Sequence, residues 1–434
     1  MILIYSENRT DRLHYTLDVL FKHILKTGYK LVSLDEFLQE STYPKLNYST
    51  KNIENCVQIT PHTLLFETNI YQQSITVKWK NNIPYFFTTS DVKNTFDILA
   101  STFFMISRYE EYLPSTLDKH ERFTAENSLA FQQGFLKKPV VNMWGLALKK
   151  GIQELFPDFQ FPKQQFQHIS TFDIDIAYAY KGKSAIKQIG GTFKNGLKGN
   201  FEDVKNRIHY HFLDKKDPFD VYDKINKLHK KHQTESSYFF LLGNKGDFDY
   251  NLHYLSNPLQ KLIQKTVDKF PVGIHPSYQS NFNDDLLRSE IERLTTITKK
   301  TVTKSRQHFL KLNFPKTYEN LISNSIKEDY SLGFASQIGF RAGICTPFPF
   351  FNLIENKQKD LLLYPFQIMD GTLNEYLQLS PTEAIAEIEK IVIETKKVDG
   401  LFISLWHNSS LSETLHWKNW SVVFKKMLEI IIEQ

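Results

Sequence analysis

From His168 to the end of the chain, short apolar runs rich in β-branched residues alternate with amphipathic helical spacings. No other feature narrows the fold so far. Strands are expected at 168–177, Ser236–Leu242, Val272–His275, Ser305–Leu310, Tyr364–Asp370 and Asp399–His407, with strand-like pieces around Asp329–Phe334 and Gly339–Ile344. Helices are expected at Asp220–His232, Asn257–Phe270, Asp284–Lys300, Lys316–Ser325, from Ser380 to about Lys397, and at Trp417–Ile432. A strand followed by a helix and another strand makes a parallel crossover. About seven such units predict an α/β fold, a distorted parallel (β/α)7-type barrel that is closed or nearly closed.

Residues 1–162 read as a smaller N-terminal α/β domain, leaving 163–434 for the barrel. Ile2–Tyr5 suits a strand, and Thr10 can cap a helix carrying Leu13, Leu17, Leu20, Phe21, Ile24 and Leu25. Gly28 stops that helix and Tyr29–Ser33 resumes as strand. Further strands are expected at Cys56–Ile59, Ile75–Trp79 and Ile83–Thr88, and a long apolar helix from Asp91 to about Tyr112. The stretch Pro114–Lys138 reads as irregular, followed by a helix over Val140–Phe156. No polar series falls at these strand ends, so no catalytic residue is expected here, and the Arg108, Glu110 and Glu111 cluster suits a solvated or domain-contact face.

The first barrel strand carries two acids among apolar neighbours, Asp173 and Asp175. Residues two apart in a strand share a face, about 7 Å apart along it. Two carboxylates so placed are costly unless a cation lies between them or binds one of them. One can hold a metal while the other acts as a base. In a βα barrel the C-terminal strand ends build the active site. Polar residues recur at these ends: His275, Arg306 with His308, Arg341, Asp370 and His407. Aspartate and histidine ligands suit zinc or a similar first-row ion. Arg341 is expected to pair with the base and keep it ionised, and a histidine across the site to protonate a leaving group. That constellation suits hydrolysis of an amide or ester.

The two cysteines, Cys56 and Cys345, exclude a disulfide scaffold and fit a reducing compartment. The opening Met-Ile-Leu-Ile-Tyr-Ser-Glu lacks a basic leader pattern, and no apolar run reaches membrane-spanning length, so a cytoplasmic location is expected. The net charge of +5 is too small to imply nucleic acid. Residues 178–216 break the strand–helix rhythm. Lys181, Lys183, Lys187, Lys194, Lys198, Lys205 and Arg207 make this insertion basic, a solvated loop or a flap toward phosphates or a membrane surface.

Taken together these motifs resemble the polysaccharide deacetylase family, the NodB-homology or carbohydrate esterase family 4 type, over about His168–Gln434. The resemblance implies a distorted barrel that removes acetyl groups from glycans with a divalent metal. Thr171-Phe-Asp-Ile-Asp175 resembles that family's Thr-Phe-Asp-Asp, with Asp173 as base and Asp175 as ligand, although Ile174 separates them here. His275 matches the first histidine of a His-x-x-x-His motif. Gly339-Phe-Arg-Ala-Gly343 resembles the arginine-containing motif. Asp370 stands where the family has an aspartate near an aromatic, and Ser404-Leu-Trp-His407 resembles the last motif, whose histidine is the general acid. The second histidine of His-x-x-x-His would fall on Gln279, a poor zinc ligand, and His308 is the substitute. The Arg-Gln-His-Phe-Leu segment is similar to a sub-branch with an extra N-terminal domain in bacterial surface-polysaccharide contexts.

The implied set is therefore Asp175, His275 and His308 on a divalent metal, zinc being the natural one for these donors, with Asp173, His407, Arg341 and Asp370 catalytic. The implied substrate is an N-acetylhexosamine-containing glycan or its precursor, with no nucleic-acid partner and peripheral membrane contact through 178–216. A catalytically silent barrel that binds carbohydrate or a partner enzyme is the alternative, and Gln279 is its support.

Overall fold

Every residue of the first strand, β1 (Ile2–Ser6), is buried, as a strand covered on both faces must be. The structure, a computed structural model, describes residues 1–90, 95–183, 210 and 216–433. Strands β2 (Tyr29–Val32) and β3 (Lys45–Tyr48) flank β1 in parallel, and β4 (Val57–Ile59) extends the sheet beyond β3. Thr10 caps the helix at Asp11–Leu17 by accepting from the Leu13 amide. Two antiparallel pairs follow, β5 (Lys78–Lys80) with β6 (Ile83–Tyr85), and β7 (Thr88–Ser90) with β8 (Thr95–Phe96). The expected helix start at Asp91 lies outside the described residues. Asp97 caps the helix instead, accepting from the Leu99 and Ala100 amides, and Ile98–Ile106 is buried almost all round. Val140–Leu155 completes this region.

The large sheet is centred on β9 (Gln167–Ile174), between β10 (Glu235–Leu241) and the late strand Leu401–His407. On from β10 come β11 (Val272–His275), β12 (Lys304–Ser305) and β13 (Glu328–Asp329), all parallel. An antiparallel pair, β14 (Phe348–Asn352) and β15 (Lys357–Leu363), closes that side through β15 beside β13. At the other edge β16 (Ile368–Met369) lies beside β17 (Leu401–His407), giving the order β14-β15-β13-β12-β11-β10-β9-β17-β16.

This sheet corrects the expected barrel. Among the described residues no strand pair joins β14 to β16, so the ladder is open and carries one antiparallel pair. The gap is spanned by the chain between β15 and β16. Tyr364 N donates to Asp329 O, Phe366 N to Leu332 O and Gln367 N to Ile403 O, so one segment leaves the β13 side and lands beside β17. The Phe366 ring sits where a Cβ on Gly333 would be, 2.2 Å away at its nearest atom. That ring wedges into the space a regular ladder would need.

Several expected strands are shorter for identifiable reasons. Ser305–Leu310 is strand only at Lys304–Ser305, because Phe309 (φ 59°) and Leu310 (φ 53°) turn left-handed. Gly339–Ile344 is not a strand. Gly339 (φ 132°) and Gly343 (φ 64°) let it run against the N-terminal region, with Phe340 N donating to Leu136 O and Val141 N to Gly343 O. The Tyr15 ring packs 4.8 Å from Phe351, and its hydroxyl donates to Pro349 O at 2.8 Å. One apolar cluster therefore runs from Ile2 to Ile431 beneath both sheets. Of the basic insertion, 184–209 and 211–215 lie outside the described residues. Its base is tied down by Asp217, which accepts from the amides of Ala179, Tyr180 and Lys181.

Candidate metal centre

Four strands bring the site together at or just beyond their C-terminal ends. Asp173 lies in β9 opposite His407 of β17, and Asp175 follows just beyond the end of β9. His275 ends β11, and His308 sits three residues beyond β12. Asp175, His275 and His308 are the only three ligand-type side chains among the described residues whose donor atoms lie within 4.8 Å of one another. Asp175 Oδ1 is 3.2 Å from His275 Nε2, and Asp175 Oδ2 is 3.6 Å from His308 Nε2 and 3.5 Å from His407 Nε2.

All three imidazoles are held the same way. His275 Nδ1 lies 2.6 Å from the Arg306 carbonyl, His308 Nδ1 2.8 Å from Asp249 Oδ1, and His407 Nδ1 2.8 Å from Asp370 Oδ1. Those partners can only accept, so each Nδ1 carries the proton. In the neutral ring each Nε2 is then a free lone pair turned toward Asp175. Histidines that bind metals are oriented in this way by a carbonyl or carboxylate behind them. Asp249 is itself fixed by the Tyr278 amide, and Asp370 by the His407 and Gly371 amides.

Asp173 has a cation of its own. Arg306 NH1 lies 3.2 Å from Asp173 Oδ1 and donates to Thr171 Oγ1, while its Nε donates to Tyr330 O. The guanidinium is fully buried and lies over the rings of Phe239 and Phe366, 4.9 and 5.5 Å from their centroids. Burial pulls its pKa down, opposed by Asp173.

The expected role of Arg341 is thereby corrected. It binds Glu111 with both Nε and NH2, at 2.9 and 2.5 Å, and donates from NH1 to Gly333 O. Glu111 and Arg108 are equally buried, and Arg108 Nε lies 2.7 Å from Glu111. Of the two readings of this cluster, a solvated or a domain-contact face, the contact holds and the solvated one does not: it is a buried ion network between the N-terminal region and the turn at 339–343. Arg341 belongs to it because the turn at 339–343 faces the N-terminal region.

The electrostatics favour a bound cation. Of Asp173, Asp175, Asp249 and Asp370, only Asp173 pairs with a permanent cation, Arg306, among the described residues. Burial would raise the Asp175 carboxyl, but the charges of His308 and His407, with the His275 imidazole close by, hold it well below the usual range. Burial would lower His308 and His407. Asp175 and Asp249 raise the first to about 9, and Asp370 with Asp175 and Asp173 raises the second to about 10. Excess negative charge here draws protons onto imidazoles, and a divalent cation would answer the same field. Asp175 Oδ1 and His275 Nε2 are buried with no hydrogen-bond partner, so two donor atoms already point at a shared space. The residues fit a metal.

A cleft of about 140 Å³ opens onto this group. Its lining includes Asp173, Asp175, His275, His308 and His407, with Met369, Leu405, Phe309 and Tyr376 as apolar wall. Arg122 also lines it, so the N-terminal region, where no catalytic residue was expected, contributes a side chain to the cleft wall. The structure thus brings together Asp173, Asp175, His275, His308, Asp370 and His407, and leaves Arg341 out. Sequence reading missed the roles of Asp249 and Arg122. Neither lies at a strand end, and only proximity in the fold reveals them. Gln279 lies in a turn after β11 and is not among the ligand atoms.

Residues 2–157 match the model of a family of unknown function, DUF7033. No curated protein matches the chain. Among solved structures it is similar to a protein from Mycobacterium smegmatis provisionally described as a polysaccharide deacetylase, with 11% identity and a TM-score of 0.40, covering 63% of this chain and 86% of that one. It is similar to the polysaccharide deacetylase Bc1974 from Bacillus cereus, with 9% identity and a TM-score of 0.31, covering 61% and 86%. A third likeness is to BA3943 from Bacillus anthracis, a CE4 family pseudoenzyme, with 10% identity and a TM-score of 0.30, covering 61% of each chain. At these scores no residue role is transferred, and the roles below rest on geometry. Among the described residues no helix is long and apolar enough to cross a membrane.

Proposed function

We propose that the chain is a metal-dependent hydrolase that removes acetyl groups from N-acetylhexosamine units of a glycan or glycan precursor. The observation that carries this is the cluster of Asp175, His275 and His308, with every Nδ1 anchored behind it, beside a second carboxylate that has its own buried cation. A divalent ion held there, zinc by the chemistry of the donors, supplies Lewis-acid polarisation of the acyl carbonyl.

The chain's own residues do the proton work. Asp173 Oδ1 faces Arg306, and Oδ2 is the oxygen on the His275 side, 3.8 Å from Nε2. Oδ2 takes the proton of the attacking water as the carbon–oxygen bond forms. His407 Nε2 faces the cluster while Asp370 holds Nδ1, so a protonated His407 donates from Nε2 to the leaving nitrogen. The carbon–nitrogen bond breaks with that transfer, leaving acetate and an amine. The apolar wall of Met369 and Leu405 suits a methyl group.

The silent-barrel alternative drew on Gln279. His308 supplies a donor from another strand end, so that support falls away. The test is a zinc titration of chelator-treated protein, paired with acetate release from N-acetylglucosamine oligosaccharides. Stoichiometric zinc with zinc-dependent acetate release is expected. Zinc without release from any N-acetylated glycan would favour the silent reading, and no zinc binding would sink the hydrolase reading.

A further inference from the structure

The region matched only by a family of unknown function sends one loop into the candidate site. Residues 116–124 form a tight turn closed by the Leu117–Phe123 bridge. Asp118 rigidifies it, accepting from the amides of His120 and Arg122 at 2.8 and 3.0 Å and from Arg122 Nε at 2.8 Å. The loop then touches three different site-bearing segments. His120 Nδ1 is 3.3 Å from the Tyr278 hydroxyl, three residues after His275. Arg122 NH1 donates to Phe309 O at 2.7 Å, one residue after His308. Arg122 NH2 donates to the Tyr376 hydroxyl at 3.3 Å, six residues after Asp370.

The contact at Phe309 matters most. Phe309 and Leu310 are bulky residues in the left-handed region, at φ 59° and 53°. Such positions are strained and persist only where surrounding structure holds them. Arg122 binds the carbonyl of this turn. Its guanidinium is already balanced by Asp118 and divided among protein acceptors, so it is not free to bind an anionic substrate.

We infer that this loop is a working part of the metal centre, with Arg122 as a positioning residue that holds the strained turn behind His308 and so sets metal affinity. The inference rests on the metal-centre reading above. It gives the N-terminal region a role, since removing that region removes the brace.

The test compares Arg122→Met and Arg122→Lys with Tyr15→Phe in the full-length protein. Tyr15→Phe deletes a hydrogen bond between the N-terminal region and β14 that lies away from the cleft. The zinc dissociation constant, read by chelator competition, should rise about 10- to 100-fold in Arg122→Met, the usual effect of losing support behind a ligand. Arg122→Lys keeps a charge beside Asp118 but cannot reach all of the arginine's acceptors, so it should fall between. Tyr15→Phe should bind zinc as the parent does. Amide exchange over 305–312, where Leu310 N is bonded to Gln307 O, should quicken in Arg122→Met and not in Tyr15→Phe. Parent-like zinc affinity in Arg122→Met, or an equal loss in Tyr15→Phe, overturns the inference. If the parent itself binds no zinc, the metal-centre reading fails, and exchange over 305–312 decides alone. Exchange no faster in Arg122→Met than in the parent then refutes the brace.

Discussion

Replacing Arg306 by methionine should slow acetate release while leaving zinc in place. Arg306 is the permanent cation in contact with Asp173, at 3.2 Å and fully buried. At an effective dielectric of 20, unit charges at that distance attract by about 5 kcal/mol, an upper bound before desolvation. Removing one partner of a buried pair leaves the other uncompensated, at a cost on the order of 3–5 kcal/mol in stability. Asp173 also loses the group that orients it, so kcat should fall by about 10²–10⁴, the worth of a positioned base. Acetate release from an N-acetylated oligosaccharide, with metal content read alongside, measures it. Arg341→Met is the comparison. It breaks a buried pair of its own with Glu111 and should cost stability on the same order, but the folded protein should keep its kcat. A kcat that falls with Arg341→Met and holds with Arg306→Met would refute the assignment of the base's partner.

Three further outcomes are expected. His308→Ala should abolish stoichiometric zinc and acetate release together, and Asp249→Asn should weaken zinc about 10- to 100-fold by freeing His308 Nδ1, both read by metal analysis. His407→Ala should keep zinc yet lower kcat by about 10²–10⁴, the worth of a positioned general acid, and equal kcat would exclude it from that role. Burial, with His229 nearby, pushes His168 down to about 3, and burial pushes His229 down to about 4. Both are neutral when folded, so the unfolded chain binds more protons below its own histidine value of about 6.5. Stability is full above that pH and falls as pH drops toward the folded values. His168→Phe should flatten the fall by up to about 1.4 kcal/mol per pH unit, measured by urea unfolding between pH 6.5 and 4.

Much of this architecture was legible because parallel strands buried on both faces advertise themselves. β9, β10, β11 and β17 are buried along nearly their whole length, and their C-terminal residues include Asp173, His275 and His407. Alternation failed where the backbone leaves the strand. Arg306 and His308 both face the site, but from an irregular stretch after β12 that turns left-handed at Phe309 and Leu310, not through a shared strand face. The β14–β15 pair was missed because its strands flank a polar turn, Leu353–Asn356, and lack the helix that marks a crossover. Arg341 misled for a related reason. The segment 339–344 read as strand-like, whereas its two glycines bend the chain toward Glu111 of the N-terminal region.

The missing second histidine of the resembled motif shows why a site is conserved as geometry before it is conserved as spacing. A metal needs donors converging on one point, and any strand end that borders that point can supply one. β11 and β12 are adjacent and parallel, with Ile274 opposite Ser305. A donor moved from the loop after β11 to the loop after β12 is displaced by one strand spacing, roughly 5 Å, which an imidazole side chain can span. The move has a cost. The β12 loop must turn left-handed at Phe309 and Leu310 to carry His308, and Asp249 must be present to orient it. The same loop supplies the cation. Arg306, two residues before His308, pairs with Asp173, while Arg341 pairs with Glu111 of the N-terminal region. One segment thus carries both the third ligand-type side chain and the partner of the base. It follows that placing a histidine at Gln279 in a His308→Ala background should recover zinc binding only if the β11 loop reaches the same point. Recovery of stoichiometric zinc by Gln279→His would show that the two loops are interchangeable donors. No recovery would show that the site is committed to β12.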